Sequence, residues 1–193
     1  AGSVADEVLS AMCQHADISR AYVNNGGDIA LYLGQGTSLS TAIKGHGGTD
    51  LGRIQIDASD QIGGIATSGR HGRSHSLGIA ESVTVLARSA AAADVAATLI
   101  ANAVDLPGHP AITRRAACDM DEASDLGDLP VVTSCDLLSA AECIRALDAG
   151  KRRADDFQRQ GLINMAALFL QGHVATSPSY FLTPSKEPIH VQA

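Results

Sequence analysis

Hydrophobic and polar positions alternate along much of the first half of the chain, a pattern that predicts a series of short strands. Two-residue alternation or short β-branched runs predict strands at residues 20–24, 29–33, 38–44, 53–57, 62–67 and 82–87. Glycines separate several of these strands, most clearly in the turn NNGGD at residues 24–28. Ahead of them, the helical spacing of Val4, Val8, Leu9 and Met12 predicts a helix at the start of the chain.

Helical signals dominate the second half. Ser89 is a suitable N-cap for an alanine-rich helix over residues 90–104, whose small side chains would let it lie close against a sheet. Ser139 and Glu142 have the spacing of a capping box, which predicts a helix from about residue 140 to 160 after a strand at residues 131–134. Gly161 interrupts this pattern, and residues 162–170 predict a further helical piece. Together these elements predict an α+β fold, with helices packed on one face of an antiparallel sheet.

The pattern predicts one domain over residues 1–175, followed by an extended tail over residues 176–193. The tail is predicted because three prolines and mixed polarity replace the earlier periodicity. The opening helix has no preceding strand to cover, so we expect this domain to be the later part of a larger unit. A homo-oligomer or an upstream companion polypeptide would supply the missing layer.

Composition narrows the functional class. The 193 residues are 45% hydrophobic, which is enough for one buried core, and their formal net charge is -7. A negative charge and only 3% aromatic residues argue against binding of nucleic acid, and no apolar run is long enough to span a membrane. The cysteines show neither metal nor disulfide spacing, which predicts reduced, mostly buried thiols and a cytoplasmic protein. They are Cys13, Cys118, Cys135 and Cys143.

The segment at residues 64–78 carries the clearest candidate chemistry. It combines two arginines, two histidines, three serines and four glycines, although the chain as a whole is acidic. Glycines expose backbone N–H groups, arginines bind anions, and histidine transfers protons near neutral pH. The segment therefore predicts an anion-binding loop, and the alternative is a solvated hairpin loop. The candidate ligand-binding residues are Thr67, Ser68, Gly69, Arg70 and Ser74, and the candidate catalytic residues are His71, Arg73 and His75.

Two further groups of residues are candidates. The turn residues Asn25, Gly26, Gly27 and Asp28 could present backbone amides to a ligand, or could simply form an Asx-type turn. Asp94 and Thr98 are four residues apart on one predicted helix, so both oxygens face the same side. Hard oxygen ligands suit Mg²⁺, and the alternative is a polar pair that hydrogen-bonds to neighbouring strands. For His75, the alternative to catalysis is a hydrogen bond to a loop carbonyl.

Five short motifs occur in the order typical of the ApbE-like superfamily, which includes the Mg-dependent FAD:protein FMN transferases. They are VAD at residues 4–6, NNGGD at 24–28, GIATSG at 64–69, SVTV at 82–85, and AAD with AT at 92–94 and 97–98. The chain resembles most closely the small uncharacterised branch of these proteins. The resemblance implies a tunnelling fold with further structure upstream, a planar ligand such as FAD or FMN, and a Mg²⁺ ion on Asp94 and Thr98.

One departure limits what the resemblance implies. In the transferases, the histidine after the Thr-Ser-Gly motif is followed by a run of Asp-Pro-Arg-Thr-Gly, whereas here His75 is followed by SLGI at residues 76–79. We therefore expect an enzyme that binds a small anionic, planar or carboxylated metabolite at the loop, with acid/base catalysis by His75 or His71. The alternatives are a true FAD:protein FMN transferase and a non-catalytic flavin-binding, metabolite-binding or assembly subunit.

Overall fold

The structure is a computed structural model, and it describes residues 1–14, 17–44, 50–72 and 74–178. The described residues form three α-helices, α1 (Gly2–Gln14), α2 (Ala90–Ala103) and α3 (Ala140–Arg159). The strands are β1 (Arg20–Asn25), β2 (Asp28–Leu33), β3 (Ser38–Lys44), β4 (Asp50–Asp57), β5 (Gly64–Ser68), β6 (Ser82–Ala87), β7 (Ile112–Ala116), β8 (Pro130–Cys135), β9 (Met165–Leu170) and β10 (His173–Ser177).

A six-stranded antiparallel sheet is the centre of the fold. Its strand order is β1-β2-β5-β6-β9-β10. The other four strands form two separate hairpins, β3–β4 and β7–β8. Helix α1 packs on β1 and β2, α2 on β5 and β6, and α3 on β9 and β10, so the three helices cover the sheet side by side. The predicted α+β class is confirmed, and so are helices on one face of an antiparallel sheet.

Helix α2 lies very close to the sheet because its buried side chains are mostly alanine. Ala93, Ala97 and Ala101 are fully buried. Where the helix begins, a Cβ on Gly64 of β5 would lie 2.1 Å from the backbone nitrogen of Ala90, so only glycine fits there. Ser89 caps the helix as predicted, with its side chain accepting a hydrogen bond from the Ala92 N–H at 3.2 Å. The alanine pattern thus predicts the close approach correctly.

The opposite face of the sheet is covered by the β3–β4 hairpin. Ile43, Ile54 and Ile56 of this hairpin are buried in one cluster with Leu31 and Ile65 of the sheet. The β7–β8 hairpin packs against the core between sheet and helices, and its first strand, Ile112–Ala116, is not predicted by the sequence pattern. The sheet is therefore covered on both faces, and β6 is buried at every residue.

The helix predicted at residues 162–170 is wrong. Met165–Leu170 forms β9, which pairs with β6 on one side and β10 on the other. The run MAALFL is apolar throughout, because helices cover one face of this strand and the β3–β4 hairpin lies over the other. A continuous apolar run has no period that separates a central strand from a buried helix.

The premise that α1 lacks a sheet to cover is also wrong. Ala5 and Leu9 are buried against Ala30 of β2 and Ala90 of α2. The remaining residues of the predicted apolar face are exposed, with relative exposures of 58% for Val4, 45% for Val8 and 42% for Met12. Of the thiols expected to be mostly buried, only Cys143 is, and the other three are half-buried.

The predicted tail begins inside a strand. Thr176 and Ser177 belong to β10, and the tail residues beyond Pro178 lie outside the described residues. Across the helices that the structure describes, none is both long enough and apolar enough to span a lipid bilayer.

Candidate functional site

A cavity of about 200 Å³ lies beside α2, at the end of β5 and the loop that follows it. We call it the α2 cavity. It brings together most of the site residues that the sequence predicts. The lining residues are Ala1, Gly26, Asp28, Ala66, Thr67, Ser68, Gly69, Gly72, Ser74, His75, Asp94, Ala97, Thr98 and Asn102.

Two carboxylates lie close together at one end of the α2 cavity. The nitrogen of Ala1 lies 3.1 Å from Asp94 Oδ2 and 3.8 Å from Asp28 Oδ2, so the two carboxylates approach the same point. Partial burial raises the pKa of Asp94, but hydrogen bonds from the Gly2 N–H and the Ala1 nitrogen outweigh it and hold the pKa below its ordinary value of 3.8. Asp94 is thus ionised at neutral pH, and this end of the cavity attracts cations.

Asp94 also has a structural role that differs from the predicted alternative. Its Oδ2 accepts a hydrogen bond from the Gly2 N–H at 3.2 Å, at the first residue of α1. The predicted alternative places the partners of Asp94 on neighbouring strands, whereas these partners belong to the beginning of another helix. A carboxylate at this position satisfies backbone N–H groups that the helix leaves without partners.

Helix α2 adds two more polar side chains to the α2 cavity. Thr98 follows Asp94 by one helical turn and is exposed, and its hydroxyl has no hydrogen-bond partner within the described part of the chain. Asn102 lies one turn further on, and its Oδ1 accepts hydrogen bonds from the Leu77 N–H at 3.0 Å and from Ser76 Oγ at 3.4 Å. Sequence reasoning missed Asn102, although continuing the spacing of four from Asp94 and Thr98 would have found it.

The end of β5 supplies the opposite wall. Thr67 shares a hydrogen bond of 2.9 Å with Thr84 on the neighbouring strand. Gly69 has a φ of +153°, and a Cβ there would lie 2.4 Å from the Glu81 carbonyl oxygen, so the chain turns tightly against the residue that precedes β6. This turn carries Ser68 and Gly69 to the cavity wall.

Two backbone N–H groups of the predicted anion-binding loop already have partners within the protein. The Arg70 N–H donates to the Ala80 carbonyl at 2.8 Å, and the Gly72 N–H donates to the Gly69 carbonyl at 3.0 Å. Both donors are consumed in closing the loop, so neither is available to an anion without rearrangement.

The basic residues of the loop do not all reach the α2 cavity. Arg70 Nη2 lies 3.5 Å from Glu81 Oε1, Arg70 is not among the lining residues, and its Nε is buried without a hydrogen-bond partner among the described residues. His71 is exposed and does not line the cavity either. Arg73 lies outside the described residues. Of the predicted catalytic residues, the described structure therefore places only His75 at the cavity.

The turn between β1 and β2 is in part the Asx-type turn that the sequence offered as an alternative. The Gly27 N–H donates to Asn24 Oδ1 at 2.8 Å, and Gly26 and Gly27 have φ values of 70° and 111°. Asn25 Nδ2 donates to the Ala1 carbonyl at 3.1 Å and does not line the α2 cavity. The turn therefore positions Asp28, which does line the cavity.

The donor set limits which cations the α2 cavity could hold. Across the described residues, no group of three or more histidine, cysteine, aspartate or glutamate side chains is arranged to bind a metal. Asp28, Asp94 and Thr98 offer two carboxylates and a hydroxyl, which are hard oxygen donors. Mg²⁺ is commonly held by one or two carboxylates, with water and ligand phosphate completing its coordination, so these residues fit Mg²⁺ better than Zn²⁺.

Comparison with known proteins places the chain in a family. The family model described as AbpE bacteria matches residues 1–176, which include the α2 cavity. The chain belongs to this family. It is also similar to two archaeal UPF0280 proteins.

The UPF0280 protein of Methanopyrus kandleri is 30% identical over 145 residues, covering 75% of this chain and 54% of that protein. The UPF0280 protein of Methanococcus maripaludis is 38% identical over 91 residues, covering 45% of this chain and 36% of that protein. The matched part of the chain thus spans about half the length of the first relative and less of the second.

Proposed function

We propose that this chain binds a small anionic metabolite in the α2 cavity together with a Mg²⁺ ion, and acts on that metabolite as an enzyme. The observation that carries the proposal is the pair of carboxylates, Asp28 and Asp94, whose oxygens approach the same atom, the nitrogen of Ala1, at 3.8 and 3.1 Å. Paired carboxylates are suited to a divalent cation, and the hydroxyl groups of Ser68 and Thr98 line the same cavity.

The charge of the pair explains why a cation and an anion would bind together. Two carboxylates at one end of a small cavity repel an approaching anion, unless a cation lies between them and the ligand. Asp28, Asp94 and Thr98 would hold the Mg²⁺ ion. A bound Mg²⁺ supplies positive charge that polarises an oxygen of the ligand.

The other lining residues have roles that follow from their donors. Ser68 and Ser74 would donate hydrogen bonds to the ligand's oxygens, and the Asn102 amide would add donors of its own. His75 lies at the cavity and would transfer a proton to or from the ligand. Arg73 stays a candidate for anion binding, while Arg70 has no role in this proposal because it is paired with Glu81 outside the cavity.

The resemblance to FAD:protein FMN transferases supports a flavin ligand, but the size of the α2 cavity favours a smaller one. Sites for drug-sized ligands usually measure about 300–1,000 Å³, whereas this cavity measures about 200 Å³. None of the described lining residues is a phenylalanine or tyrosine that could stack on a flavin. Three alternatives remain: FMN transfer, a tunnelling fold, and a non-catalytic flavin-binding or assembly role. A homo-oligomer or a companion polypeptide that covers Val4, Val8 and Met12 is a further alternative.

Native mass spectrometry tests the binding step directly. The protein would be exchanged into volatile buffer and titrated with orthophosphate as the probe, with and without Mg²⁺. The proposal predicts a complex that contains protein, Mg²⁺ and phosphate together, at phosphate concentrations that give no complex without Mg²⁺. Equal phosphate binding in the presence and absence of Mg²⁺ would contradict it. Turnover of a metabolite that co-purifies with the protein would separate an enzyme from a carrier.

A further inference from the structure

Polar side chains recur along the side of α2 that borders the α2 cavity. Asp94, Thr98 and Asn102 follow one another at intervals of four residues, so they share one face of the helix, and all three line the cavity. A helix rises about 1.5 Å per residue, which separates the Cα atoms of Asp94 and Asn102 by about 12 Å along its axis. The cavity therefore has an acidic end at Asp94 and an amide end at Asn102.

The neighbouring loop fixes the orientation of the Asn102 amide. Its Oδ1 accepts hydrogen bonds from the Leu77 N–H at 3.0 Å and Ser76 Oγ at 3.4 Å. Exchanging the amide oxygen and nitrogen would set the Leu77 donor against another donor, which is unfavourable. Asn102 Nδ2 makes no hydrogen bond with any residue that the structure describes. Two N–H donors are thus left for a ligand at this end.

His75 belongs to the same end of the α2 cavity. It precedes Ser76, which contacts Asn102, and it lines the cavity itself. The two ends consequently differ in chemistry. The acidic end can bind a ligand oxygen only through a cation, whereas the amide end offers neutral donors to a ligand oxygen directly.

We propose that the α2 cavity selects an elongated ligand that carries an oxyanion, a phosphate or a carboxylate, at each end. One oxyanion is bound with the cation at Asp28 and Asp94, and the other accepts hydrogen bonds from Asn102. This inference rests on the proposed function. The helical rise of about 12 Å, less about 4 Å for the two contacts that Mg²⁺ makes, with the carboxylate and with the ligand, and about 3 Å for a hydrogen bond, leaves about 5 Å between the two ligand oxygens.

A length series of ligands tests this inference. The probes are methylphosphonate, with one head group, and methylene, ethylene, propylene and butylene bisphosphonate, with two. Calorimetric titrations with Mg²⁺ present should show the ethylene or propylene compound binding best, at least about tenfold more tightly than methylphosphonate. Simple chelation of Mg²⁺ by both head groups would instead favour the shortest bisphosphonate.

Two variants connect the length preference to Asn102. Asn102→Ala removes the amide. Asn102→Asp keeps an oxygen that can accept from the Leu77 N–H, so this variant preserves the contact that holds the loop. Both should lose the preference for the longer bisphosphonates, so that in each variant these compounds bind about as tightly as methylphosphonate does. Thermal melts would verify that both variants are folded.

The outcomes separate the two proposals. If methylphosphonate binds with Mg²⁺ but the longer bisphosphonates bind no better, or keep their advantage in both variants, the elongated ligand is overturned and the proposed function stands. If no phosphonate binds in the presence of Mg²⁺, the proposed function fails, and the inference fails with it.

Discussion

The carboxylate of Asp6 on α1 accepts hydrogen bonds from the backbone N–H groups of Ala90 and Ala91, each at 2.9 Å, at the beginning of α2. The relationship is reciprocal, because Asp94 on α2 accepts from the Gly2 N–H at the beginning of α1. Each helix therefore supplies an acidic cap for the other. This exchange holds the two helices in register and fixes the position of Asp94 at the α2 cavity.

Removing the Asp6 carboxylate should destabilise the protein. Asp6→Ala leaves two backbone donors of α2 without their acceptor, and we expect a loss of about 1–3 kcal/mol in the free energy of unfolding. Asp6→Asn keeps one acceptor oxygen and should lose less. Urea denaturation would measure both variants. Wild-type stability in Asp6→Ala would show that water replaces the carboxylate at no cost.

Acid should weaken the cap of α3. The Ser139 side-chain hydroxyl and backbone N–H donate to the Glu142 carboxylate, whose Oε1 also lies 3.0 Å from His109 Nε2, and these bonds lower the pKa of Glu142 from 4.5 to about 2. Because the folded state has the lower pKa, the stabilisation is complete above pH 4.5 and is lost as pH falls through about 2.

Comparison with Glu142→Gln tests this pH dependence. The stability advantage of the wild type should be present above pH 4.5 and should disappear in acid. A carboxyl NMR titration would give the pKa of Glu142 directly. A midpoint near 4.5 would mean that the capping box is not formed in solution.

The two arginines of the loop should behave differently. Arg70 is paired with Glu81 and does not line the α2 cavity, so Arg70→Ala should leave affinity for phosphate with Mg²⁺ within about twofold. Arg73 keeps its predicted role as an anion ligand, and Arg73→Ala should weaken binding by about tenfold or more. Calorimetric titration of both variants would decide between them. Equal losses in the two would indicate that Arg70 leaves Glu81 to bind the anion.

Much of the fold follows from local pattern, and the exceptions have physical causes. Ser89 and the capping box of Ser139 and Glu142 mark helix starts because capping depends on residues close in sequence. The strand Met165–Leu170 is missed because its surroundings, which bury both of its faces, come from distant segments. Local composition could not show that helices and a hairpin would enclose this run.

The site is predicted in the same uneven way. Asp94 and Thr98 line the same cavity because residues four apart lie on the same side of a helix. That Asp28 joins them depends on the β1–β2 turn meeting α2, which no short-range pattern reports. Arg70 does not line the cavity, because it pairs across the loop with Glu81, eleven positions later, at 3.5 Å. Asn102 continues the spacing of Asp94 and Thr98, but its hydrogen bonds with Ser76 and Leu77 depend on the fold, because these partners belong to a separate loop.

The central claim is tested most directly by whether removing the cavity's carboxylates weakens or strengthens the binding of phosphate. Phosphate affinity would be measured by calorimetry in the presence of Mg²⁺ for the wild type, Asp28→Asn and Asp94→Asn. If the carboxylates hold a cation that binds the anion, both variants should bind phosphate at least about tenfold more weakly. If the anion binds without a cation, removing a negative charge relieves repulsion, and equal or tighter binding in both variants would contradict the account.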